Sequence, residues 1–315
     1  MNITVLDGHT VNPGDIDWEP IGVLGSLQVF DRTDPSEIVT RSLDADVLVV
    51  NKVAISREEL GQLTNLKAIF LLATGYNNID LKAVKEQGIA VYNAVGYGSE
   101  SVAQHTISLI LEQTNQVGRH HHSVKRGDWS DQDDFSYTLN TVKELKGKTL
   151  GLYGFGMIGK RVAELGLAFG MKILVFNRST RPSPGIHFVD KDVLFRQSDF
   201  LSLHVPLSAE TAEVINRSSL KQMKENLILI NTGRGALINE RDLAEALENG
   251  RIAGASLDVL SLEPPLASNP LLCAPNCILT PHMAWTSLEA RSRLIEIVAQ
   301  NISNFKQGID LNRVA

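Results

Sequence analysis

Cysteine is nearly absent from this chain, with two thiols, Cys273 and Cys277, in 315 residues. A disulfide-stapled secreted scaffold or a four-ligand zinc site needs more. Both thiols are therefore expected to be buried or half-buried, in a cytoplasmic protein. Long apolar runs are missing too. "AIFLLA" and "LILI" are strand-sized and far short of a membrane span. "MNITVLDG" reads as a strand and turn, without the charged and apolar regions of a signal peptide. Positive charge is not in excess: 30 Lys and Arg against 36 Asp and Glu give −6, with no basic stripe. That argues against nucleic acid or an anionic membrane as partner. The run His120, His121, His122 falls late in a helical stretch, where successive side chains point about 100° apart and cannot share one ion. No metal is expected. What remains, 43% hydrophobic and 21% charged, is a globular composition long enough for two domains.

Strand-like and helical segments alternate from the first residue. "ITVLDG", "LQVF", "DVLVVN", "KAIFLLAT" and "IAVYNA" are short apolar runs ending in turn residues. Ser56 with Glu59 opens one intervening helix, and Gly88 closes another. A long helical stretch runs from about Ser101 into the histidines. The alternation restarts with "KTLGLYG", "KILVFNR", "DFLSLHV", "LILINTG", "IAGASLDV" and "CILTPH". Two such series imply two α/β domains with parallel sheets buried on both faces. A last helix, from Thr286 to about Gln307, opens on the capping pair Thr286 and Glu289 and is free to pack back on the first domain. Residues 120–147 fit neither series. They form either an extended arm offering exposed Trp129, Phe135 and Tyr137 to a homodimer contact or a folded-back loop.

"TLGLYGFGMIGKRVAELG" holds Gly154-x-Gly156-x-x-Gly159 between a strand and a helix, the setting that makes this pattern a dinucleotide turn. Gly154 permits the tight turn, Gly156 lets backbone approach a pyrophosphate, and Gly159 lets the helix lie close to the sheet. The amides of Met157 and Ile158 then point at phosphate. An acidic residue usually ends the next strand and binds the ribose hydroxyls. Here that place reads Asn177, Arg178, Ser179, Thr180, Arg181. A carboxylate about 4 Å from a 2′-phosphate is repelled by roughly 4 kcal/mol at an effective dielectric of 20, whereas arginine binds it. NADP(H) is thus expected to be preferred. The alternative is that Asn177 holds the hydroxyls of NAD(H) and the arginines are solvated.

Three strand ends of the second series carry chemistry: Arg234 in "INTGRGALINE", Asp258 and Glu263 in "SLDVLSLEPP", and His282 in "LTPHMAW". Ligands of open parallel sheets bind outside the carboxyl ends of the strands. A carbonyl that accepts hydride needs a proton, which an imidazolium such as His282 can give. Glu263 favours the charged ring and fixes its tautomer. Arg234 can clamp a substrate carboxylate and polarise the keto oxygen.

These stretches, with "LLATGYNNIDL", "SVAQHTISLIL", "ELKGKTLGLYGFGMIGKRVA", "LHVPLSAET" and "TPHMAWTSLEAR", resemble the D-isomer-specific 2-hydroxyacid dehydrogenases over essentially the whole length, nearest their glycerate dehydrogenase (hydroxypyruvate reductase) branch. The resemblance implies a Rossmann nucleotide-binding domain, residues 99–286, inserted in a flavodoxin-like substrate domain, residues 1–98 plus 287–315. It also implies roles. Arg234 binds substrate, Glu263 supports the histidine, and His282 is the acid/base. The amides of Thr74 and Gly75 hold the substrate carboxylate. Val205, Pro206, Thr211, Thr232 and Asp258 line the cofactor, and Asn51, Lys52 and Trp285 shape the pocket around a hydroxymethyl group. The expected reaction is reduction of a small 2-keto acid, hydroxypyruvate to D-glycerate, with glyoxylate as side substrate. The chain leaves no room after its last helix for the regulatory domain of many phosphoglycerate dehydrogenases, which weakens that reading. A lactate- or phosphonate-type enzyme and a non-catalytic, corepressor-like dinucleotide sensor are the alternatives. The intact Arg234, Glu263 and His282 set favours the enzyme.

Overall fold

The computed structural model describes residues 1–179 and 182–315. Thr180 and Arg181 of the expected ribose-binding turn lie outside them. Two compact units are present, residues 1–98 with 285–315, and residues 99–284.

In the first unit, β1 (Asn2–Val5), β2 (Ser26–Val29), β3 (Val47–Val50), β4 (Ala68–Leu71) and β5 (Ala90–Tyr92) pair in the order β2-β1-β3-β4-β5, all parallel. This is the flavodoxin-like order, with its switch point between β1 and β3. The connecting helices are α1 (Glu19–Gly22), α2 (Ile38–Ser42), α3 (Arg57–Leu60) and α4 (Leu81–Glu86). Ser56 and Glu59 form the expected reciprocal capping box on α3, and Gly88 follows α4 at φ +71°. In the second unit, β6 (Thr149–Tyr153), β7 (Lys172–Phe176), β8 (Ile186–Phe188), β9 (Phe200–Leu203), β10 (Ile228–Asn231), β11 (Gly254–Leu257) and β12 (Cys277–Leu279) pair in the order β12-β11-β10-β9-β6-β7-β8. The ladder is again wholly parallel, and the chain reverses direction across the sheet between β6 and β9. Its helices are α5 (Ser99–Asn115), α6 (Val117–Lys125), α7 (Met157–Ala168), α8 (Lys191–Gln197), α9 (Arg217–Leu220) and α10 (Glu240–Glu248). The last helix, α11 (Leu288–Lys306), belongs to the first unit.

Alternate residues of each strand serve opposite faces, and both faces are covered. Val47 and Val49 enter the core that α11 closes with Leu294, Ile295 and Val298, while Leu48 and Val50 enter a second core with Leu60 of α3 and Val84 of α4. In the other sheet Leu201, Leu203 and Leu229 face α8 and α10, and Leu150, Leu152 and Ile230 face α5 and α7. Each such side chain, fully buried, contributes about 1.5–3 kcal/mol. Two doubly wound parallel sheets are the observed architecture.

Local structure departs from the sequence reading at four places. The last helix is capped by Ser287, whose hydroxyl accepts from the Ala290 amide, and not by Thr286; the Thr286 carbonyl instead accepts from the Arg291 guanidinium. Cys273 is exposed, at the end of a short 3-10 turn, and Cys277 alone is partly covered. Burial pushes the Cys277 thiol up to about 12. The long helix is broken at Gln116, which sits at φ 47° between α5 and α6. A short strand, β8, pairs with β7 where none was expected. Of the two forms open to the segment after α6, the structure shows the loop folded back on that helix. His120 Nε2 accepts from the Leu139 amide and Trp129 Nε1 donates to the Phe135 carbonyl. Tyr137, which only the extended-arm form would expose, is half-buried with its hydroxyl 2.8 Å from that of Ser123. His120, His121 and His122 stand in mid α6, and no metal-binding cluster occurs among the described residues.

Candidate active site

The turn from β6 into α7 separates its three glycines by physical need. Gly154 sits at φ +108°, and a Cβ there would lie 2.5 Å from the His204 carbonyl oxygen and 2.7 Å from Val205 Cγ1. A Cβ on Gly159 would lie 2.5 Å from the Gly154 carbonyl oxygen, so only glycine lets α7 approach the turn this closely. Gly156 is different. It is the N-cap of α7 with φ −79° and ψ −161°, open to any residue, and an added Cβ would meet nothing within 4 Å. No side chain caps α7. The first amides of the helix, among them those of Met157 and Ile158, are left for a ligand beside open space. A dinucleotide pyrophosphate fits such a cradle.

Beyond β7, Asn177 Oδ1 accepts from the Phe155 amide at 3.2 Å and Nδ2 donates to the Ser179 carbonyl at 2.7 Å. The amide thus fastens the glycine turn to the end of the second strand. Arg178 and Ser179 are exposed. The Glu210 carboxyl is held below the ordinary range, first by the Ser208 hydroxyl and more weakly by the Arg178 charge. After β9 come His204, Val205 and Pro206. Thr211 Oγ1 donates to the Pro206 carbonyl at 2.7 Å and accepts from the Ser208 amide at 2.8 Å, closing that turn. Burial pushes the His204 imidazole down to about 4. Thr232, after β10, lies 3.2 Å hydroxyl to hydroxyl from Thr106 of α5.

At the far strand ends His282 Nδ1 lies 2.5 Å from Glu263 Oε2, with the two side chains 27% and 34% exposed. Glu263 Oε1 accepts from the Leu260 amide at 3.0 Å, which fixes the carboxylate plane. With Nδ1 occupied, Nε2 is the nitrogen available for chemistry. Arg234 is exposed and its turn is shaped by Asn231, whose Nδ2 donates to the Arg234 carbonyl and whose Oδ1 accepts from the Gly233 amide. The next residue, Gly235, packs directly on the loop that carries Glu263. A Cβ there would fall 1.9 Å from the Leu260 carbonyl carbon. Asp258 is 1% exposed and accepts from the Met283 and Ala284 amides at 2.9 and 2.8 Å. It is a clamp on the His282 segment.

The first unit presents its own strand-end groups. Thr74 and Gly75 follow β4, with Thr74 Oγ1 donating to the Ala94 carbonyl and Asn93 Nδ2 donating to the Thr74 carbonyl, both at 2.7 Å. Asn51 is buried, and its Nδ2 donates to the Leu72 carbonyl at 2.5 Å, so it holds its loop rather than reaching outward. Asp7 accepts from the amides of Asn51, Lys52 and Val53 at 2.7, 2.5 and 2.9 Å. Burial nevertheless raises its carboxyl above the usual range. Lys52 is exposed, and Trp285 packs edge-on to Tyr97 with ring centroids 6.1 Å apart. Sequence reasoning missed Asp7, Asn231, Gly235, His105 and Thr280. The one local signal was Gly235, in the Gly-Arg-Gly turn.

Residues 107–284 match the family model of the D-isomer specific 2-hydroxyacid dehydrogenase NAD binding domain. A hydroxypyruvate reductase of Blautia hydrogenotrophica is 41% identical over 100% of this chain and 99% of its own length. A glycerate dehydrogenase of Methylorubrum extorquens is 40% identical over 89% and 88%. Among solved structures, an acyclic imino acid reductase in complex with NADPH and D-Arg superposes with a TM-score of 0.88 at 32% identity, covering 100% of both chains. No described helix is long and apolar enough to cross a membrane. Matched by the family's model over more than half of its length and by relatives along all of it, the chain belongs to the D-isomer-specific 2-hydroxyacid dehydrogenases, oxidoreductases that act on a CH–OH group with a nicotinamide cofactor.

Proposed function

We propose that the protein reduces hydroxypyruvate to D-glycerate, with glyoxylate as a side substrate and NADP(H) as the preferred cofactor. The observation that carries the reading is the 2.5 Å pairing of His282 with Glu263 at the strand ends of the nucleotide-binding unit. When bound, the reduced nicotinamide supplies a hydride to the keto carbon, so hydroxypyruvate, NAD(P)H and one proton give D-glycerate and NAD(P)⁺. His282 delivers the proton from Nε2 to the keto oxygen. Glu263 holds Nδ1–H and orients the ring so that Nε2 faces the reaction. Arg234 binds the substrate carboxylate and polarises the carbonyl, and the amides of Thr74 and Gly75 are further carboxylate donors. Lys52 and Trp285 border the hydroxymethyl group. Replacing His282 by Ala should lower kcat for hydroxypyruvate reduction about 10²- to 10⁴-fold with the cofactor Kd nearly unchanged. Full activity in that variant removes His282 from the mechanism.

The cofactor preference rests on Asn177 and Arg178 standing where a carboxylate would repel a 2′-phosphate, and the NADPH of the imino acid reductase is consistent with it. We expect kcat/KM for NADPH to exceed that for NADH by about tenfold or more, the scale of one charge-assisted hydrogen bond. A preference for NADH overturns this part. The exposed Trp129 and Phe135, 49% and 90% accessible, offer apolar surface after α6 that a second copy would cover in a homodimer. Two free thiols suit a reducing cytoplasm.

A further inference from the structure

We propose that His105 is a positioning residue for His282, acting through Thr280 and Asp258 to hold the segment 280–284 in the turn the acid/base needs. The inference rests on His282 being that acid/base. His282 has φ 53°, a left-handed conformation that a residue with a side chain keeps only when its surroundings over-determine it. Here the surroundings do so. The His282 amide reaches the Asp258 carbonyl at 2.8 Å and the Thr280 carbonyl at 3.0 Å. The next two amides land on the Asp258 carboxylate, so three successive amides converge on one residue.

The same carboxylate takes the Thr280 hydroxyl, at 2.5 Å. A hydroxyl has a single proton. With that proton committed to Asp258, Thr280 Oγ1 can only accept from its remaining neighbour, His105 Nε2, 3.1 Å away. That fixes the proton of His105 on Nε2, 3.5 Å from Asp258 Oδ1. A directed row results, from His105 to Thr280 to Asp258 and so to the His282 segment. Burial holds the His105 ring below the ordinary histidine range despite the carboxylate, so it serves at neutral pH as a neutral donor.

Helix α5 gives this row a rigid base. Ser101 stands one turn before His105 on the same face, and its hydroxyl donates to the Ala284 carbonyl at 2.6 Å. One helical stripe thereby grips both ends of the 280–284 segment, while the neighbouring positions Ala103, Ile107 and Ile110 are core. If packing were all that position 105 required, an apolar side chain would serve. Loss of the row frees the Thr280 hydroxyl to rotate and lets the left-handed turn relax. A shift of about 1 Å at a reacting group is enough to cost on the order of 10²-fold in rate.

The test uses the full-length protein carrying His105→Ala, His105→Gln, Thr280→Val or His282→Ala, assayed with hydroxypyruvate and NADPH. His105→Ala should lower kcat about 10- to 100-fold while KM for the keto acid, Kd for NADPH and the melting temperature change little. The Gln side chain keeps an N–H donor and should recover kcat to within about threefold of the parent. Thr280→Val should match His105→Ala, and the double variant should be no worse than either single one, because both break one row. If His105→Ala keeps kcat within twofold, or if Gln is as impaired as Ala with melting temperature falling in parallel, His105 is only a packing residue. His282→Ala separates the two failures. Full activity there defeats the acid/base reading and this inference with it, whereas its expected loss beside an unaffected His105→Ala defeats the positioning role alone.

Discussion

The glycine turn allows a stability effect and a binding effect to be separated by substitutions three residues apart. Consider Gly156→Ala. The backbone at 156 is extended, and the new methyl would meet no protein atom within 4 Å. Removing glycine's freedom in the unfolded chain gains about 0.4–1 kcal/mol, and alanine is a poorer N-cap than glycine by roughly a similar amount. The melting temperature should therefore move by no more than about 2 °C. The cofactor is another matter, because the methyl occupies the space where backbone must approach pyrophosphate. Displacing one charge-assisted amide-to-phosphate bond costs about 1.5–3 kcal/mol, a rise of roughly 10- to 150-fold in the Kd for NADPH. Gly159→Ala is the comparator. Its Cβ would fall 2.5 Å from a backbone carbonyl oxygen, so stability itself should drop by about 1–3 kcal/mol or more. Thermal denaturation without cofactor and fluorescence titration with NADPH read the two effects. If Gly156→Ala binds NADPH within twofold of the parent, the pyrophosphate does not lie at this helix end and the assignment is wrong.

Two further outcomes follow from particular side chains. His204 takes up a proton near the ordinary histidine value of about 6.5 when unfolded but only near about 4 when folded. Lowering the pH thus favours the unfolded chain, and by linkage about 2 kcal/mol of stability should vanish between pH 7 and pH 5 from this residue. Denaturant unfolding of His204→Asn should show a shallower acid slope, and an unchanged slope would refute the burial argument. Should the proposed homodimer form through the exposed ring of Phe135, Phe135→Glu places a charge in that contact and shifts sedimentation from dimer to monomer without altering secondary structure; an unaltered sedimentation coefficient removes this residue from the interface.

Strands with continuous apolar runs, such as β3 and β4, were legible because burial on both faces leaves no room for alternation. β8 was not, since Ile186, His187 and Phe188 form a half-covered edge with too little apolar surface to stand out. The break at Gln116, left-handed at φ 47°, carries neither Gly nor Pro at that position to announce it. Thr286 and Ser287 are both competent caps. The choice falls to Ser287, while Arg291, pinned to both Asp15 oxygens at 2.7 Å, takes the Thr286 carbonyl. Two cysteines, too few for a disulfide scaffold or a zinc site, lead to the expectation of covered thiols, yet Cys273 ends a short 3-10 turn with its thiol outside.

The site divides along a similar line. Gly154, Arg234, Glu263 and His282 announce themselves because each brings its own chemistry or its own steric need to a strand end. Thr280 and His105 bring neither, and their hydrogen bond joins positions 175 residues apart. Gly235 meets Leu260 by the same kind of long-range approach. Groups that react with a ligand must carry a particular functional group, so residue type alone marks them. Groups that hold those residues need only match whatever the fold places beside them, and that information exists only once the strands are paired. Asp258 stands between the two classes. Its carboxylate at a strand end looks like a ligand contact, and it also accepts from the Thr280 hydroxyl and from the two amides after His282. With three donors on its roughly four acceptor sites, and a single amide on Oδ2, this carboxylate fixes its neighbour's geometry and keeps capacity for one more donor.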